Sequence, residues 1–464
     1  MTTESMTDAG AKAPPPTAGD TASTKPMIRR VLASSFVGAV IEWYDFYIFG
    51  VASAAVFNTL FFPKYSEAAG VLASFATLAL GYIARPLGAV IWGHFGDRIG
   101  RKRMLVLSIM LMGLATIGVG LLPTYGVIGI WAPVLLVLMR LFQGLSGGGE
   151  WGGAVLMSME HAGRRRGLAS SVPQMGVFGG ILLANGVFAL VTLMPEHTFL
   201  AWGWRVPFLS SIVLVGVGLW IRLGVAESPV FRKAQQEREQ EQEQEREAGD
   251  PAGKGPAGKR DVPILGVLRN PRQLLIALAL AVGPFATSAI YGTFAVSYSM
   301  ELGYSRTIAL DAVVVCQVIG LLAQPVFASL SDRIGRRPVV LIGTALQAIT
   351  VFVMFELVNT RDTTLLFVGF GLFSLAHGVA YAPLAAWLGE LFSTRTRYTG
   401  SSLGYQLAGT IGGGLTPLIV SSLLLASGGP PHTLGVSLYL VGLYALTAVA
   451  AYIAKDTHRD PLQA

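Results

Sequence analysis

Twelve long apolar stretches, separated by short polar segments, run along the chain from near its N-terminus to near its C-terminus. Each has about 20 residues or more, enough for a helix rising about 1.5 Å per residue to cross a hydrocarbon core of about 30 Å. They lie approximately at 31–57, 69–95, 104–122, 131–159, 168–193, 203–223, 271–300, 308–331, 338–358, 363–391, 398–425 and 431–455. The pattern predicts an all-α membrane protein with twelve transmembrane helices.

One five-residue segment occurs twice, once in each half of the chain. Asp97 to Arg101 reappears unchanged as Asp332 to Arg336, and each copy follows an apolar stretch. Glu160 in the first half and Glu390 in the second also correspond, since arginines follow each of them within a few residues. Because each half has six stretches, the second half begins on the same side of the membrane as the first. The sequence therefore predicts two six-helix parallel repeats with a solute path between them.

The repeats divide the chain into five segments. We predict a disordered N-terminal tail at 1–28, a six-helix bundle at 29–223, a linker at 224–270, a second bundle at 271–455 and a C-terminal tail at 456–464. Within the linker, 235–247 consists almost wholly of Gln, Glu and Arg, and glycines and prolines follow it. That composition favours a solvated helix that is soon broken. The linker is either a flexible connection or a regulatory or docking segment.

The composition fits this layout, because only 13% of residues are charged and 52% are hydrophobic, whereas a soluble domain carries about 25% charged residues. The net charge of +7 follows the topology, since basic residues cluster at alternate ends of the stretches. This argues against nucleic-acid binding. By the positive-inside rule both termini are cytoplasmic. We expect a monomeric multi-pass protein of a bacterial-type inner or plasma membrane, in contact with lipid, protons and a small-molecule substrate.

Neither an enzyme nor a metalloprotein is expected. The single cysteine, Cys316, excludes a disulfide within the chain and a thiolate metal site, and no metal-ligand spacing occurs. No nucleophile, base and orienting group recur in one polar cluster. We therefore predict no catalytic residue, no metal and no cofactor.

Charged residues inside the apolar stretches are the main candidates for function. Each costs roughly 2.5 to 3.5 kcal/mol at the centre of a span, so each needs a partner or a water-filled cavity. Glu42 and Asp45 share one face of the first span, and the fourth span contains Arg140 and Glu150. We predict that these four residues couple transport to protons and that Asp45 pairs with Arg140. Glu150 is either a supporting partner or a rival proton carrier, and the alternative for the acidic pair is a structural ion pair.

Arg85 lies near mid-membrane on the second span, where a forked and permanently charged side chain suits the carboxylate of a solute. The alternative is that Arg85 pairs with Glu42 or Glu150. Arg205, near the outer mouth of the sixth span, either gathers anions or marks the interface. The predicted substrate-binding residues are Arg85, Arg140, Tyr47, Gln143, Gln317, Tyr291 and His377.

The repeated loops are candidates for a gate. Aspartate at a helix end can accept hydrogen bonds from the N-terminus of a neighbouring helix, and arginines can pair with carboxylates at other helix ends. The alternative is positive-inside anchoring alone, which explains the arginines but not the aspartate. The predicted gating residues are Gly93, Asp97, Arg98, Gly100 and Arg101 in the first loop, Asp332, Arg333, Gly335 and Arg336 in the second, and Glu160, Glu390 and Arg397.

Several local motifs together resemble the metabolite:proton symporters of the major facilitator superfamily, the group that includes shikimate, α-ketoglutarate, citrate and proline/betaine carriers. The motifs are 42–46, 85–88, 93–103, 143–145 with 148–153, 204–208, 332–337, and 397–400 with 404–406. The resemblance covers nearly everything from Arg29 to Lys455. It implies the major facilitator fold, alternating access, and inward co-transport of protons with a small, usually carboxylated metabolite. Related sugar porters have an aspartate and an arginine at places similar to Asp45 and Arg140.

The sequence thus predicts proton-coupled uptake of a small carboxylated or zwitterionic metabolite, with the proton gradient as energy source. In this hypothesis deprotonated Asp45 holds Arg140, and protonation frees Arg140 to bind a substrate carboxylate with help from Arg85. The alternatives are a proton-coupled exporter, an uncoupled uniporter and a sensor that binds a metabolite without moving it. The shared motifs do not identify the substrate.

Overall fold

The computed structural model describes residues 18–99, 101–160, 162, 165–224, 263–269, 271–393 and 396–460. Within these residues every regular element is a helix. Most of the predicted linker and of the repeated loop at 93–103, together with the ends of both predicted tails, lie outside the described residues or have undescribed side chains. The first helix begins at Ala18, inside the segment predicted to be a disordered tail.

Twelve long helical units, α1 to α12, follow one another along the chain. They are α1 Ala18–Ala55; α2 Glu67–Ile99; α3 Arg101–Leu121; α4 Trp131–Ser146 with Glu150–Glu160; α5 Arg166–Val191; α6 Gly203–Arg205, Val206–Leu209 and Ser211–Gly224; α7 Pro271–Ala289, Ile290–Phe294 and Ala295–Glu301; α8 Arg306–Ile334; α9 Arg336–Asn359; α10 Thr363–Tyr381 with Leu384–Glu390; α11 Arg397–Ala408, Gly409–Leu415 and Thr416–Ala426; and α12 Leu434–Ile453. Four short helices, Phe57–Phe61, Tyr125–Ile128, Glu196–Ala201 and Pro263–Arg269, lie between them.

Most of these units have the length and composition of membrane spans. In the described part of the chain, ten helices are long and apolar enough to cross a membrane, and Val106–Leu121 within α3 is a shorter apolar segment. Large apolar side chains such as Trp220, Leu322 and Val326 are exposed on the outside of the bundle, where lipid would cover them. The predicted all-α membrane fold is confirmed.

The helices pack in the same order in both halves. In the first half α1 packs on α5, α2 on α4, and α3 on α6; in the second half α7 packs on α11, α8 on α10, and α9 on α12. The halves meet where α5 packs on α8 and where α2 packs on α11. The two contacts are equivalent, because in each the second helix of one half meets the fifth helix of the other, as expected for parallel repeats related by an axis along the membrane normal.

Close packing of α2 on α4 depends on small residues. A Cβ atom on Gly88 would overlap the carbonyl oxygen of Leu145, and a Cβ atom on Gly144 would overlap the carbonyl oxygen of Gly81. Without side chains at these positions, the two helix backbones can approach and gain van der Waals contacts. Gly88 of α2 and Gly144 of α4 therefore serve helix packing.

Replacing Gly88 by alanine is expected to destabilise the protein, because the added methyl group forces α2 and α4 apart at a typical overpacking cost of about 1 to 3 kcal/mol. The matched control is Gly186→Ala on α5, where a Cβ atom would meet no atom within 4 Å. Thermal unfolding of both variants in detergent measures the difference. Equal melting temperatures for the two variants would contradict this account of the α2–α4 contact.

Candidate functional site

The two halves meet at a buried group of aromatic and amide side chains, which we call the central cluster. It consists of Trp151 on α4, Gln174 on α5, Tyr381 on α10 and Tyr405 on α11. The rings of Trp151 and Tyr405 stack with centroids 3.6 Å apart. The Trp151 indole donates a hydrogen bond to Gln174 Oε1 (2.8 Å), and the hydroxyls of Tyr381 and Tyr405 lie 2.7 Å apart. Side chains of both halves thus share one polar and aromatic contact.

Arg85 forms a buried ion pair beside this cluster. Its Nη2 atom donates to Glu42 Oε1 (3.1 Å), and the side chains are 0% and 3% exposed. The guanidinium carbon lies 4.6 Å from the ring centre of Trp43 and 4.1 Å from that of Phe46, within the range of cation–π attraction. Of the two alternatives that the sequence leaves open for this arginine, pairing with Glu42 is therefore present in the structure.

The ion pair with Glu42 occupies only one of the three guanidinium nitrogens of Arg85. In the described part of the chain, Arg85 Nε and Nη1 are buried and have no hydrogen-bond partner. Contacting rings connect this arginine to the central cluster, because the Trp43 ring beside Arg85 lies 6.4 Å from the ring of Phe285, which lies 4.7 Å from the ring of Tyr405. Buried guanidinium donors without partners are able to bind an anionic group.

Asp45 and Arg140 are both buried, but they do not contact each other. The Ser211 hydroxyl of α6 donates to Asp45 Oδ1 (2.6 Å). Arg140 Nη1 donates to Gln143 Oε1 (3.0 Å) and to the carbonyl oxygen of Phe46 (3.4 Å), and its guanidinium carbon lies 3.8 Å from the centre of the Phe46 ring. The predicted direct pair is therefore wrong for this conformation. Asp45 faces α3 and α6, whereas Arg140 packs on the neighbouring Phe46.

The remaining candidates of the first half are buried close to this region. Glu150 begins the second part of α4 and is 8% exposed. Tyr47 is 3% exposed and borders a small cavity between the halves, together with Tyr82, Thr293 and Gly413. Gln143, predicted to bind substrate, instead donates from Nε2 to Thr116 Oγ1 (2.9 Å) and accepts from Arg140.

The substrate-binding candidates of the second half are fully buried. His377 Nε2 lies 3.2 Å from Ser288 Oγ, and its ring stacks on Tyr381 of the central cluster with centroids 4.9 Å apart. The ring of Tyr291 lies 5.4 Å from that of His377. Among the residues that the structure describes, the Tyr291 hydroxyl and both amide atoms of Gln317 lack hydrogen-bond partners. Such groups cost about 1 to 3 kcal/mol each, so water or a ligand is expected to reach them in another conformation.

A latch joins the halves at the end of the bundle where α8 is followed by α9, which we call the repeat end. The latch consists of Asp332, Arg336, Glu390 and the N-terminus of α5. Asp332 accepts backbone hydrogen bonds from Gly167 (2.8 Å) and Leu168 (3.0 Å) of the other half. Arg336 holds both acids, with N–O distances of 2.8 Å to Asp332 and 3.1 Å to Glu390. A carboxylate at a helix N-terminus is stabilised by the free N–H groups and by the helix dipole.

The chain beyond α12 supports this latch. Asp456 accepts hydrogen bonds from the backbone N–H groups of Arg336 (3.2 Å) and Arg337 (3.1 Å), and Thr457 donates to Glu390 Oε2 (2.8 Å). Burial acts to raise the pKa of Asp456, but the hydrogen bonds from His458 and from these backbone groups hold the pKa below its ordinary value. The predicted C-terminal tail is thus packed as far as the structure describes it.

The other gating candidates fall into two groups. The side chains of Gly93, Asp97, Arg98, Gly100, Arg101 and Glu160 lie outside the described residues. In the second loop, Gly335 adopts a φ of +106°, whereas Arg333 is exposed and forms none of the latch contacts. Arg397 is buried and donates from Nε to the carbonyl oxygen of Phe392 (3.3 Å). Of the second loop, Asp332 and Arg336 form the contacts of the latch.

Several residues of the site were not predicted from the sequence. Gln174, Thr116 and Ser211 each lie within a mostly apolar helix, and a polar residue in such a helix was the available signal. For the hydroxyl residues this signal is weak, because serine and threonine satisfy themselves on their own helix backbone and are common in spans. The sequence did not indicate a role for Asp456, since a single acidic residue after the last span cannot be distinguished from an ordinary solvated residue.

Comparison with known proteins places this fold and site in a family. The sequence profile of the family described as sugar (and other) transporter matches residues 31–454. The shikimate transporter of Escherichia coli K12 is 40% identical over 436 residues, covering 93% of this chain and 95% of the relative. The proline/betaine transporter of the same organism is 30% identical over 439 residues, covering 94% of this chain and 85% of the relative.

Solved structures show the same architecture at lower identity. The proton:xylose symporter XylE bound to 6-bromo-6-deoxy-D-glucose aligns with a TM-score of 0.70 and 20% identity, covering 94% of this chain and 97% of that chain. The partially occluded inward open conformation of XylE from E. coli gives 0.71 and 19%, covering 94% and 99%. This chain is thus an integral multi-pass transport protein and not an enzyme, and it belongs to the sugar (and other) transporter family.

Proposed function

We propose that the protein is a proton-coupled symporter that takes up a small carboxylated metabolite by alternating access. One observation carries this proposal: Arg85 is fully buried beside the central cluster, and two of its guanidinium nitrogens are left without hydrogen-bond partners among the described residues. A planar, permanently charged fork suits a carboxylate, which it can bind through two parallel hydrogen bonds. The names of the relatives agree with this chemistry, because shikimate, proline and betaine all carry a carboxylate.

In this proposal the carboxylate of the substrate accepts hydrogen bonds from the guanidinium donors of Arg85 that have no partner among the described residues, while Glu42 keeps its bond to Nη2. The rings of Trp43, Phe46 and Tyr82 provide apolar walls near the guanidinium. On the side of the second half, Tyr291, Gln317 and His377 offer hydroxyl, amide and imidazole groups to the rest of the solute. Unsatisfied polar groups in a buried site select ligands that can pair with them, so a hydroxylated or zwitterionic acid is favoured over a plain hydrocarbon acid.

Asp45 carries the proton in this scheme. It is buried and accepts a hydrogen bond from Ser211, no cation of the described residues forms an ion pair with it, and a charge in such a place is costly. Protonated Asp45 needs no cation, and Arg140 is then able to assist the binding of the negatively charged solute. When the proton leaves on the other side, the negative charge on Asp45 again attracts Arg140. Proton and solute are thereby loaded and released together.

Alternating access follows from rocking of the two halves about the central cluster. At the repeat end Asp332 holds the N-terminus of α5, and at the opposite end the guanidinium carbon of Arg306, at the start of α8, lies 5.0 Å from the ring centre of Phe199, which follows α5. We propose that the first of these contacts breaks when the repeat end opens and the second breaks when the opposite end opens. The repeat end and both termini face the cytoplasm. The membrane potential contributes about 2.3 kcal/mol per net charge per 100 mV, so a singly charged carboxylate carried with one proton moves no net charge and draws on the pH gradient alone.

Shikimate is the first solute to test, since it has one carboxylate and several hydroxyls. We expect purified protein in liposomes to accumulate radiolabelled shikimate when the outside is acidic, and to alkalinise the outer medium when shikimate is added. A protonophore should abolish the accumulation. Shikimate uptake that does not depend on the pH gradient would indicate a uniporter. Transport of shikimate only outward would indicate an exporter, and binding of shikimate without transport would indicate a sensor. Any of these results, or no binding of shikimate, would overturn the proposal.

A further inference from the structure

Two polar side chains bridge the space between Asp45 and Arg140. Arg140 Nη1 donates to Gln143 Oε1 (3.0 Å), and Gln143 Nε2 donates to Thr116 Oγ1 (2.9 Å). Thr116 on α3 lies next to the Asp45 carboxyl group and donates its own hydrogen to the carbonyl oxygen of Met112 (2.9 Å). Asp45, Thr116, Gln143 and Arg140 are each at most 1% exposed, so water does not compete for these bonds.

The donors and acceptors of these side chains fix the direction of each hydrogen bond between Arg140 and Thr116. Arginine has only donors, so the oxygen of the Gln143 amide must face Arg140 and its NH₂ group must face Thr116. Thr116 Oγ1 then has to accept from Gln143, which leaves its single hydrogen for another acceptor. Two acceptors are within its reach, the Met112 carbonyl that it uses in this structure and the Asp45 carboxyl group beside it.

We infer that Thr116 and Gln143 are positioning residues that couple the protonation of Asp45 to the hold on the Arg140 guanidinium. A charged carboxylate is roughly twice as strong an acceptor as a neutral carbonyl, so ionised Asp45 draws the Thr116 hydrogen away from Met112. The Thr116 oxygen then accepts more strongly from Gln143, and Gln143 in turn from Arg140, because linked hydrogen bonds polarise one another. Protonation of Asp45 returns the Thr116 hydrogen to Met112 and loosens Arg140. The inference rests on the proposed proton coupling.

Few other ionisable groups lie near the hydrogen-bonded series from Asp45 to Arg140. Among the described residues, the Tyr44 phenol acts electrostatically on Asp45, but it is held by the Pro207 carbonyl and by Ser210. On the other side, Tyr82 and Arg85 act on Arg140. The elements packed around Asp45 contribute the hydroxyls of Ser211 and Thr116, of which only Thr116 leads to Arg140.

The test compares Thr116→Val, which removes the hydroxyl at nearly constant volume, with Thr116→Ser, which keeps it. The measurement is the apparent KM for shikimate counterflow in liposomes at acidic and at mildly alkaline pH. We expect KM to be higher at alkaline than at acidic pH. The ratio of the alkaline to the acidic KM should be about tenfold or more in the wild type and in Thr116→Ser, and about threefold or less in Thr116→Val. On an Asp45→Asn background, Thr116→Val should cause no further change in the ratio.

A merely structural role for Thr116 would lower activity equally at every pH and leave the ratio unchanged. That result would overturn the relay while the pH dependence of the wild type still supported the proposed symport. If Asp45→Asn itself keeps the wild-type ratio, both the proton assignment and the relay are wrong. Should Thr116→Val fail to fold, Gln143→Met removes the other side chain that links Asp45 to Arg140. The same loss of pH dependence is expected for this variant.

Discussion

Replacing Asp45 by asparagine is expected to abolish pH-driven accumulation of substrate while sparing counterflow exchange. The asparagine amide retains an oxygen that can accept from Ser211, but it can neither gain nor lose a proton at this site. Substrate can still cross in both directions, because exchange needs no net movement of protons. The accumulation ratio should therefore fall to about one, the value without a coupled driving force.

The measurement is uptake of radiolabelled shikimate into liposomes with and without a pH gradient, together with counterflow at equal pH. Asp311→Asn is the matched control, since Asp311 is an exposed carboxylate on α8, far along the chain from the site. This variant should accumulate substrate as the wild type does. Unchanged pH-driven accumulation by Asp45→Asn would refute the role of Asp45 as proton carrier.

Replacing Arg85 by glutamine should remove substrate binding and also lower stability. The change deletes the carboxylate-binding fork and breaks the buried ion pair with Glu42, for which a cost of about 3 to 5 kcal/mol is typical. Shikimate affinity should fall by about a hundredfold or more, since every 1.4 kcal/mol corresponds to about tenfold. Arg85→Lys keeps the charge but not the fork, so an intermediate loss of affinity is expected.

Binding and stability can be separated with a second change. Glu42→Gln combined with Arg85→Gln removes both buried charges, so the melting temperature should recover while binding stays lost. The matched control is Arg205→Gln, because Arg205 donates to the carbonyl oxygens of Gly120 and Leu122 at the end of α3. Isothermal titration with shikimate and thermal unfolding measure the two effects. Wild-type affinity in Arg85→Gln would exclude this arginine from the binding site.

Depth along a helix was predictable at the site, but direction around the helix was not. At about 1.5 Å per residue, Asp45 lies about 21 Å along the helix from Val31, and Arg140 lies about 14 Å from Trp131 at the outer end of its span. Arg140 can therefore reach the depth of Asp45, so the sequence favours a direct pair. In the structure Asp45 faces Ser211 of α6, and Arg140 packs on Phe46 instead. The rotation of each helix is set by how its whole surface packs on several neighbours, and local spacing in the sequence does not contain that information.

The sequence by itself determined the all-helical membrane class, the number of spans and the division into two like halves. The physical reason is that lipid offers no hydrogen bonds, so every span must be a long apolar helix that is visible in the residue pattern. It also determined which charged residues had to be functional or paired, since each is costly in the membrane.

Only the tertiary structure decided the partners of those charges. It joined Arg85 to Glu42, separated Asp45 from Arg140 by Thr116, and placed Asp456 under the latch. These contacts link residues far apart in the chain, and each depends on a side-chain direction that a few ångströms of helix movement would change. A hydrogen bond requires that accuracy, whereas the apolar pattern that specifies a span does not.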